Sequence, residues 1–342
     1  MVKYFHKRLI KCLLGGVFLV SCRSDRLHDV NLEGVQAQRL EFQNLEESVF
    51  GVPSEALAGK TEEMVKTFGE FYNTYLFAIV NRGEEKDSVF KALQLFVKDP
   101  DIRKVYDLTK KEYPEGKRKE IEEDINQAFR YFSYHFPAAE YPLHLESYVS
   151  GFNYACFTAD STLGLGLDMF LGDGCPYYKM LQLPKYLSRR MTKDYLVTDA
   201  MRAWIIHCFE KKESASNLLA LMIHYGKLYY VLDAVLPDVE DSIKIGYSSQ
   251  QMEYCIAYGK NLWAHFLEKD RLYKNDLKEV SPYISEGPFT SAIGKQCPPR
   301  IAMWVGWKIV RAYMEHNSKV SLAELMEEKD NLKILNHSKF RP

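Results

Sequence analysis

From residue 61 onward the apolar positions recur at helical spacing. Thr61 precedes Glu62 and Glu63, and Met64, Phe68, Phe71, Tyr72, Tyr75, Leu76 and Ile79 fall on one face. A capped amphipathic helix is predicted over 61–79. Asp87 opens a short helix to residue 97, and Asp99 before Pro100 starts another to residue 108. A fourth is predicted over 117–135, with Ile121, Ile125, Ala128, Phe129 and Phe132 inward and Pro137 just past its end. The period then changes to two. Leu143, Leu145, Ser147 and Val149 alternate, residues 154–158 read as β-like, and Leu163-Gly164-Leu165-Gly166-Leu167-Asp168 forms a third run. Gly164 and Gly166 share one face of that strand, which leaves room for a bulky side chain to pack against it.

Past Pro184 the pattern is helical again. One helix contains or opens at Thr198-Asp199 and reaches 212, with Met201, Trp204, Ile205, Cys208 and Phe209 inward. Ser216-Asn217 caps a long one to 235, closed by Pro237. Ser248 with Gln251 makes a capping box for a helix to about residue 268. Pro298-Pro299 lead into 301–315, and Ser321 caps a last amphipathic helix. The expected class is α+β, mostly helical, with a small sheet of about three strands (143–168) packed among helices. No Gly/Pro/Ser-rich linker divides 61–342, so one domain is expected there.

The first sixty residues read differently. Lys3, Lys7, Arg8 and Lys11 precede an apolar run over 12–20, too short for a bilayer-spanning helix of about 20 residues. Leu19-Val20-Ser21-Cys22 then reads as a lipobox. Cleavage before Cys22 would remove 1–21 as a signal peptide, and the Cys22 thiol and new amine would carry acyl chains. At about 0.8 kcal/mol per buried methylene, two or three chains anchor a protein durably. Residues 22–60 are expected to be a lipidated tether and entry segment. Arg23-Ser24-Asp25-Arg26 carries no acidic run after Cys22, which favours an outer-membrane anchor facing the periplasm.

Composition changes this picture little. Hydrophobic residues make up 46% and charged residues 27%, with a net charge of −1, so no global field draws the chain to nucleic acid. Of seven cysteines, Cys12 leaves with the signal and Cys22 is lipidated, leaving Cys156, Cys175, Cys208, Cys255 and Cys297. The compartment permits disulfides, and Cys156 and Cys175 are the pair the pattern suggests. The absence of CxxC argues against a zinc ribbon.

Helices, a small sheet and then two long helices is the order of zincin metallopeptidases. Those enzymes grip zinc with two histidines of HExxH on one helix face, and the Glu serves as base. Here the first long helix holds only His207, followed by Cys208-Phe209-Glu210-Lys211-Lys212, and the second reads His224-Tyr225-Gly226-Lys227. His207 and His224 are the weak metal candidates, and a lone helical histidine is more often structural. No cofactor is expected. GxSxG, Walker and GxGxxG motifs are missing. Asp168 and Asp173 are the best carboxylate candidates, although Asp168 also suits a strand-end hydrogen-bond role. In a zincin-like arrangement Asp168, Tyr225 and Lys227 would border one cleft.

From about residue 140 the chain resembles the GldB family of gliding-motility lipoproteins of Bacteroidota envelopes. The resemblance rests on 163–172, on Leu183-Pro184-Lys185-Tyr186 with Arg189-Arg190-Met191, and on 218–227 with Leu232-Asp233. It continues through Ile245-Gly246-Tyr247 with Gln250, Gly287-Pro288-Phe289, Pro298-Pro299-Arg300-Ile301, 304–310 with Tyr313-Met314, and Ser338-Lys339-Phe340. The family often has Pro-Gly-Arg where this chain has Pro298-Pro299-Arg300, so a different turn is expected there. The resemblance implies a non-enzymatic lipoprotein whose partners are envelope proteins of a gliding apparatus or connected secretion machinery. A degenerate or atypical metallopeptidase is the alternative. A cell-wall glycan-binding module, suggested by the 23 tyrosines, is a third.

Overall fold

The computed structural model describes residue 27 and residues 30–80, 89–209 and 217–342. In chain order the first elements are β1 (Phe42–Asn44), α1 (Leu45–Phe50), α2 (Thr61–Thr74), α3 (Val89–Lys98), α4 (Pro100–Glu112) and α5 (Glu115–His135). The strands β2 (His144–Tyr148), β3 (Cys156–Ala159) and β4 (Thr162–Gly166) follow. Then come α6 (Pro176–Met180), α7 (Lys185–Ser188), α8 (Lys193–Phe209), α9 (Leu218–Val235) and α10 (Asp241–Ile245). The chain continues through α11 (Ser249–Ala257), α12 (Gly259–Leu267), α13 (Leu277–Ile284), α14 (Ile301–His316), α15 (Leu322–Glu327) and α16 (Asn331–Ser338). The protein is α+β and mostly helical.

The sheet has four strands rather than three, in the order β1-β2-β4-β3. The extra strand comes from the segment expected to be only an entry to the domain. Phe42 pairs with Leu145 and Asn44 with Ser147, in parallel. Leu40, Leu45, Val49, Phe50 and Leu57 are buried, so the folded structure takes in residues well before 61. Three residues are too few to display a period, which is why β1 was silent in the sequence.

Helices cover both faces of the sheet. All five residues of β4 and the last four of β2 are buried, so neither strand alternates in burial. Leu145, Leu163 and Leu165 join the larger core with α5, α8, α9 and α14. Tyr148 joins a smaller core with Phe68, Phe71 and Tyr75 from the N-terminal helices. The glycine face of β4 is packed as expected. A Cβ on Gly164 would lie 2.3 Å from the Phe71 ring, and one on Gly166 would lie 2.1 Å from the Tyr154 carbonyl. Phe71 stacks on Phe157 with ring centroids 4.7 Å apart, closing that side of the sheet.

Several helices depart from their predicted extents. The helix from Thr61 is interrupted at Gly69, whose φ is +56°, and passes into a π-helical stretch over Tyr75–Val80. The capping box at Ser248 and Gln251 is present, but the helix breaks at Tyr258 into α11 and α12. Ser321 caps α15 through a second box with Glu324, and a further helix, α16, follows it. Cys156 and Cys175 do not pair, and all five cysteines from Cys156 to Cys297 are free thiols.

The centre of the larger core is α9, with fifteen of its eighteen residues buried. It is long and apolar enough to cross a membrane, yet 83% of it is buried inside the fold, so it serves as a core helix. Its closest neighbour is α14. A Cβ on Gly306 would lie 1.8 Å from the Met222 carbonyl oxygen, and one on Gly226 would lie 2.4 Å from that of Gly306. Two glycines thus let the helices touch backbone to backbone.

Candidate functional site

The residues singled out from sequence are placed as follows. Asp168, directly after β4, is fully buried and its carboxylate holds the loop after β2. It accepts hydrogen bonds from the Ser150 and Phe152 amides at 3.0 and 2.8 Å and from the Ser150 hydroxyl. That loop holds Gly151 and Phe152 at φ +65° and +64°, so the carboxylate satisfies amides that the left-handed turn points inward. Burial raises its pKa to about 6 against those hydrogen bonds. Asp173 is exposed. Lys227 is buried and donates to the Glu328 carbonyl at the end of α15. Tyr225 is half-buried against the larger core, edge-on to His224 at 5.4 Å. Asp168 is therefore tied to the 150–153 loop and Lys227 to residue 328.

His207 places Nδ1 3.2 Å from the Thr158 hydroxyl and Nε2 3.4 Å from Glu140, with its ring against Trp204. His224 belongs to the Tyr225 contact. Among the described residues no three His, Cys, Asp or Glu side chains are grouped to hold a metal. Cys22, Glu210, Lys211 and Lys212 lie outside the described residues.

What the fold does bring together is a set of arginines around the end of α10. This helix has five residues and stops at Gly246, which takes the left-handed C-cap conformation at φ +75°. Its last carbonyls have no intrahelical partner, and three arginines from distant parts of the chain supply donors. Arg202 of α8 donates to the Lys244 carbonyl at 2.6 Å. Arg300, just before α14, donates to Ile245 at 2.8 Å, and Arg189 donates to Gly246 at 2.6 Å. A fourth, Arg190, lies over Gly246, where a Cβ would come within 2.8 Å of its Nε. Only glycine satisfies both the left-handed turn and this close approach.

Two carboxylates face this cradle. Asp199 pairs with Arg202. Glu286, in the turn after α13, reaches Arg190 at 2.9 Å and Arg300 at 3.4 Å. Four guanidiniums against two carboxylates leave an excess of two positive charges in a chain whose net charge is −1. Donors are also left over, since the Nε atoms of Arg190, Arg202 and Arg300 are buried and have no hydrogen-bond partner. Buried polar groups are overwhelmingly paired in native proteins, so three orphans in one cluster call for an explanation.

Electrostatics follow the same layout. Burial tends to raise the Glu286 pKa, but Arg300 and Arg190 outweigh it and hold the carboxylate below its ordinary value. Burial lowers the pKa of Arg189, and Arg190 and Arg300 push in the same direction. Arg300 is 7% exposed and sits at φ +56°, a conformation that costs a non-glycine residue about 1–3 kcal/mol. It is held there by Ile245, by Tyr229 at 3.4 Å and by the Tyr247 ring 5.9 Å away.

A second charged cluster anchors the other end of α10. Asp233 of α9 accepts from Trp307 at 2.8 Å, Arg311 at 2.6 Å and Lys244 at 3.1 Å. Asp241 takes the remaining Arg311 donors and Lys308. Its donors and acceptors are matched, and we assign it to holding α9, α10 and α14 together.

The chain matches the family described as gliding motility protein GldB over residues 27–342. It belongs to the GldB gliding-motility family. Among curated proteins and among solved structures, none matches it. The GldB blocks Arg189-Arg190-Met191, Ile245-Gly246-Tyr247 and Pro298-Pro299-Arg300, separate in sequence, meet at the arginine cradle. The GldB block at 218–227 and the one at 304–310 supply the Gly226 and Gly306 contact. At the Pro298-Pro299-Arg300 departure, Arg300 itself takes the left-handed position. The prolines keep ordinary geometry, and their carbonyls accept from Thr290 and Tyr247.

Proposed function

We propose that this GldB-family chain is an envelope lipoprotein, tethered through Cys22 to the periplasmic face of the outer membrane. It works by binding other components of a gliding apparatus or its connected secretion machinery, through one folded unit, and not by catalysis. The observation that carries this reading is the arginine cradle. Charged donors are held rigidly by helix ends, with some donors unused, in the manner of a recognition site. The groups that could have served catalysis are committed elsewhere: Asp168 to the 150–153 loop and His207 to Thr158 and Glu140.

The test has two parts. Crosslinking in intact cells followed by purification of the full chain should recover a reproducible set of envelope proteins, and recovery of none counts against the reading. Cys22→Ala should move the protein from the membrane to the soluble fraction, and continued membrane association would remove the tether. Stoichiometric zinc that is lost in His207→Ala would favour the metallopeptidase alternative instead.

A further inference from the structure

We propose that Arg190 and Arg300 form a binding site for a phosphate dianion, free or as the monoester of a lipid headgroup, and that Glu286 is the resident carboxylate it displaces. The inference rests on the binding role proposed above and names the chemistry of one ligand. Glu286 is the outermost member of the cradle, its side chain 39% exposed, against 16% for Arg190 and 9% for Arg300. Its Oε1 accepts from the Gly287 amide at 3.3 Å, so Oε2 alone faces both guanidiniums. One oxygen cannot satisfy two forks: Arg190 Nε stays without a partner, and Arg300 Nε, 3.4 Å from Oε2, forms an ion pair but no hydrogen bond with it. Glu286 thus marks where an anion fits while filling the place incompletely.

Charge and shape select the ligand. A monocarboxylate in place of Glu286 would leave the excess of two positive charges unchanged, whereas a dianion halves it. A phosphate also presents three outer oxygens, enough for Arg190 Nη1, Arg190 Nε and Arg300 Nε. Guanidinium forks bind phosphate oxygens in this way, with charge-assisted hydrogen bonds about twice as strong as neutral ones. Arg189 and Arg202 stay on the α10 carbonyls, so the site needs no movement of the helix ends, only rotation of Glu286 into solvent.

The experiment is calorimetric titration of the full chain in detergent with inorganic phosphate, dihexanoyl phosphatidic acid and, as control, dihexanoyl phosphatidylcholine. Saturable binding of phosphate and phosphatidic acid at one site, with none of the control, is expected. Equal affinities identify free phosphate as sufficient, and tighter binding of phosphatidic acid identifies a headgroup. Glu286→Gln removes the competitor and should tighten binding several-fold. Arg190→Gln, at the more exposed guanidinium, should weaken it about tenfold or more, with the circular dichroism and melting temperature of the wild type retained. No saturable binding in either the wild type or Glu286→Gln, or unchanged affinity in Arg190→Gln, overturns the proposal. Envelope partners still recovered by crosslinking Arg190→Gln alongside a failed titration would sink the phosphate site alone. Phosphate binding without any crosslinked partner would sink the partner role alone.

Discussion

Glu146 offers the sharpest quantitative test of the fold. It sits in the middle of β2, 1% exposed, and its Oε2 has no partner. Burial pushes its pKa from 4.5 up to about 8. Directly across the parallel pairing is Gln43, whose Oε1 is also buried and unpaired. A protonated Glu146 can donate to that oxygen and satisfy both groups, and an ionised one cannot. The carboxyl therefore contributes its full stability below pH 4.5 and loses it as the pH rises through 8. Within that window the loss is about 1.4 kcal/mol per pH unit, on the order of 3 kcal/mol by pH 7. Glu146→Gln supplies an N–H donor that does not titrate. In urea unfolding of the full chain, the stability difference between variant and wild type should grow steadily from about pH 4.5 to about pH 8 in favour of the variant. A difference that stays flat across that range would refute both the neutral carboxyl and its pairing with Gln43.

Gly306→Ala drives a methyl group into the Met222 carbonyl and should cost about 3 kcal/mol or more, read as a lowered melting temperature. An unchanged melting temperature would mean that α9 and α14 separate freely. Arg118 and Glu46 form a buried ion pair at 2.7 Å with Ser147 and Asn44 around it. Arg118→Met leaves Glu46 uncompensated, so about 3–5 kcal/mol should be lost at neutral pH. Protonating Glu46 relieves that penalty, so the variant should recover relative to the wild type as the pH falls. The double variant Glu46→Gln, Arg118→Met should lose less than Arg118→Met alone, and a simple sum of the single effects would show the pair to be uncoupled.

The helices were legible where local chemistry decides them. Ser248 and Gln251 sit three residues apart and form the box their spacing implies. Asn217 accepts from the Ala220 amide at the start of α9. Gly164 and Gly166 announced a crowded strand face, and the Phe71 and Tyr148 rings fill it. The cradle was not legible as a site, although most of its residues stood in plain view within the resembling blocks. Arg189, Arg202, Gly246 and Arg300 come from four places along the chain, and only the packing of α8, α10 and α14 makes them neighbours. The one local hint was an arginine directly before an apolar helix after two prolines, a position with no solvated face to serve. The Asp168, Tyr225 and Lys227 cleft rested on an analogy of element order. Order does not fix where a lysine ends, and Lys227 ends at a carbonyl more than a hundred positions downstream.

The pairing of β1 with β2 sets a schedule for the chain. Asn44 and Ser147 are 103 residues apart, and closing a loop of that length must precede any gain from the pairing. A chain emerging N-terminus first exposes residues 42–44 long before their partners exist. Everything upstream of β1 therefore stays unpinned to the sheet until about residue 148 has emerged. The edge strand β1 is thus joined to the sheet only once β2 exists, while β3, β4 and every helix from α6 onward are still to be made.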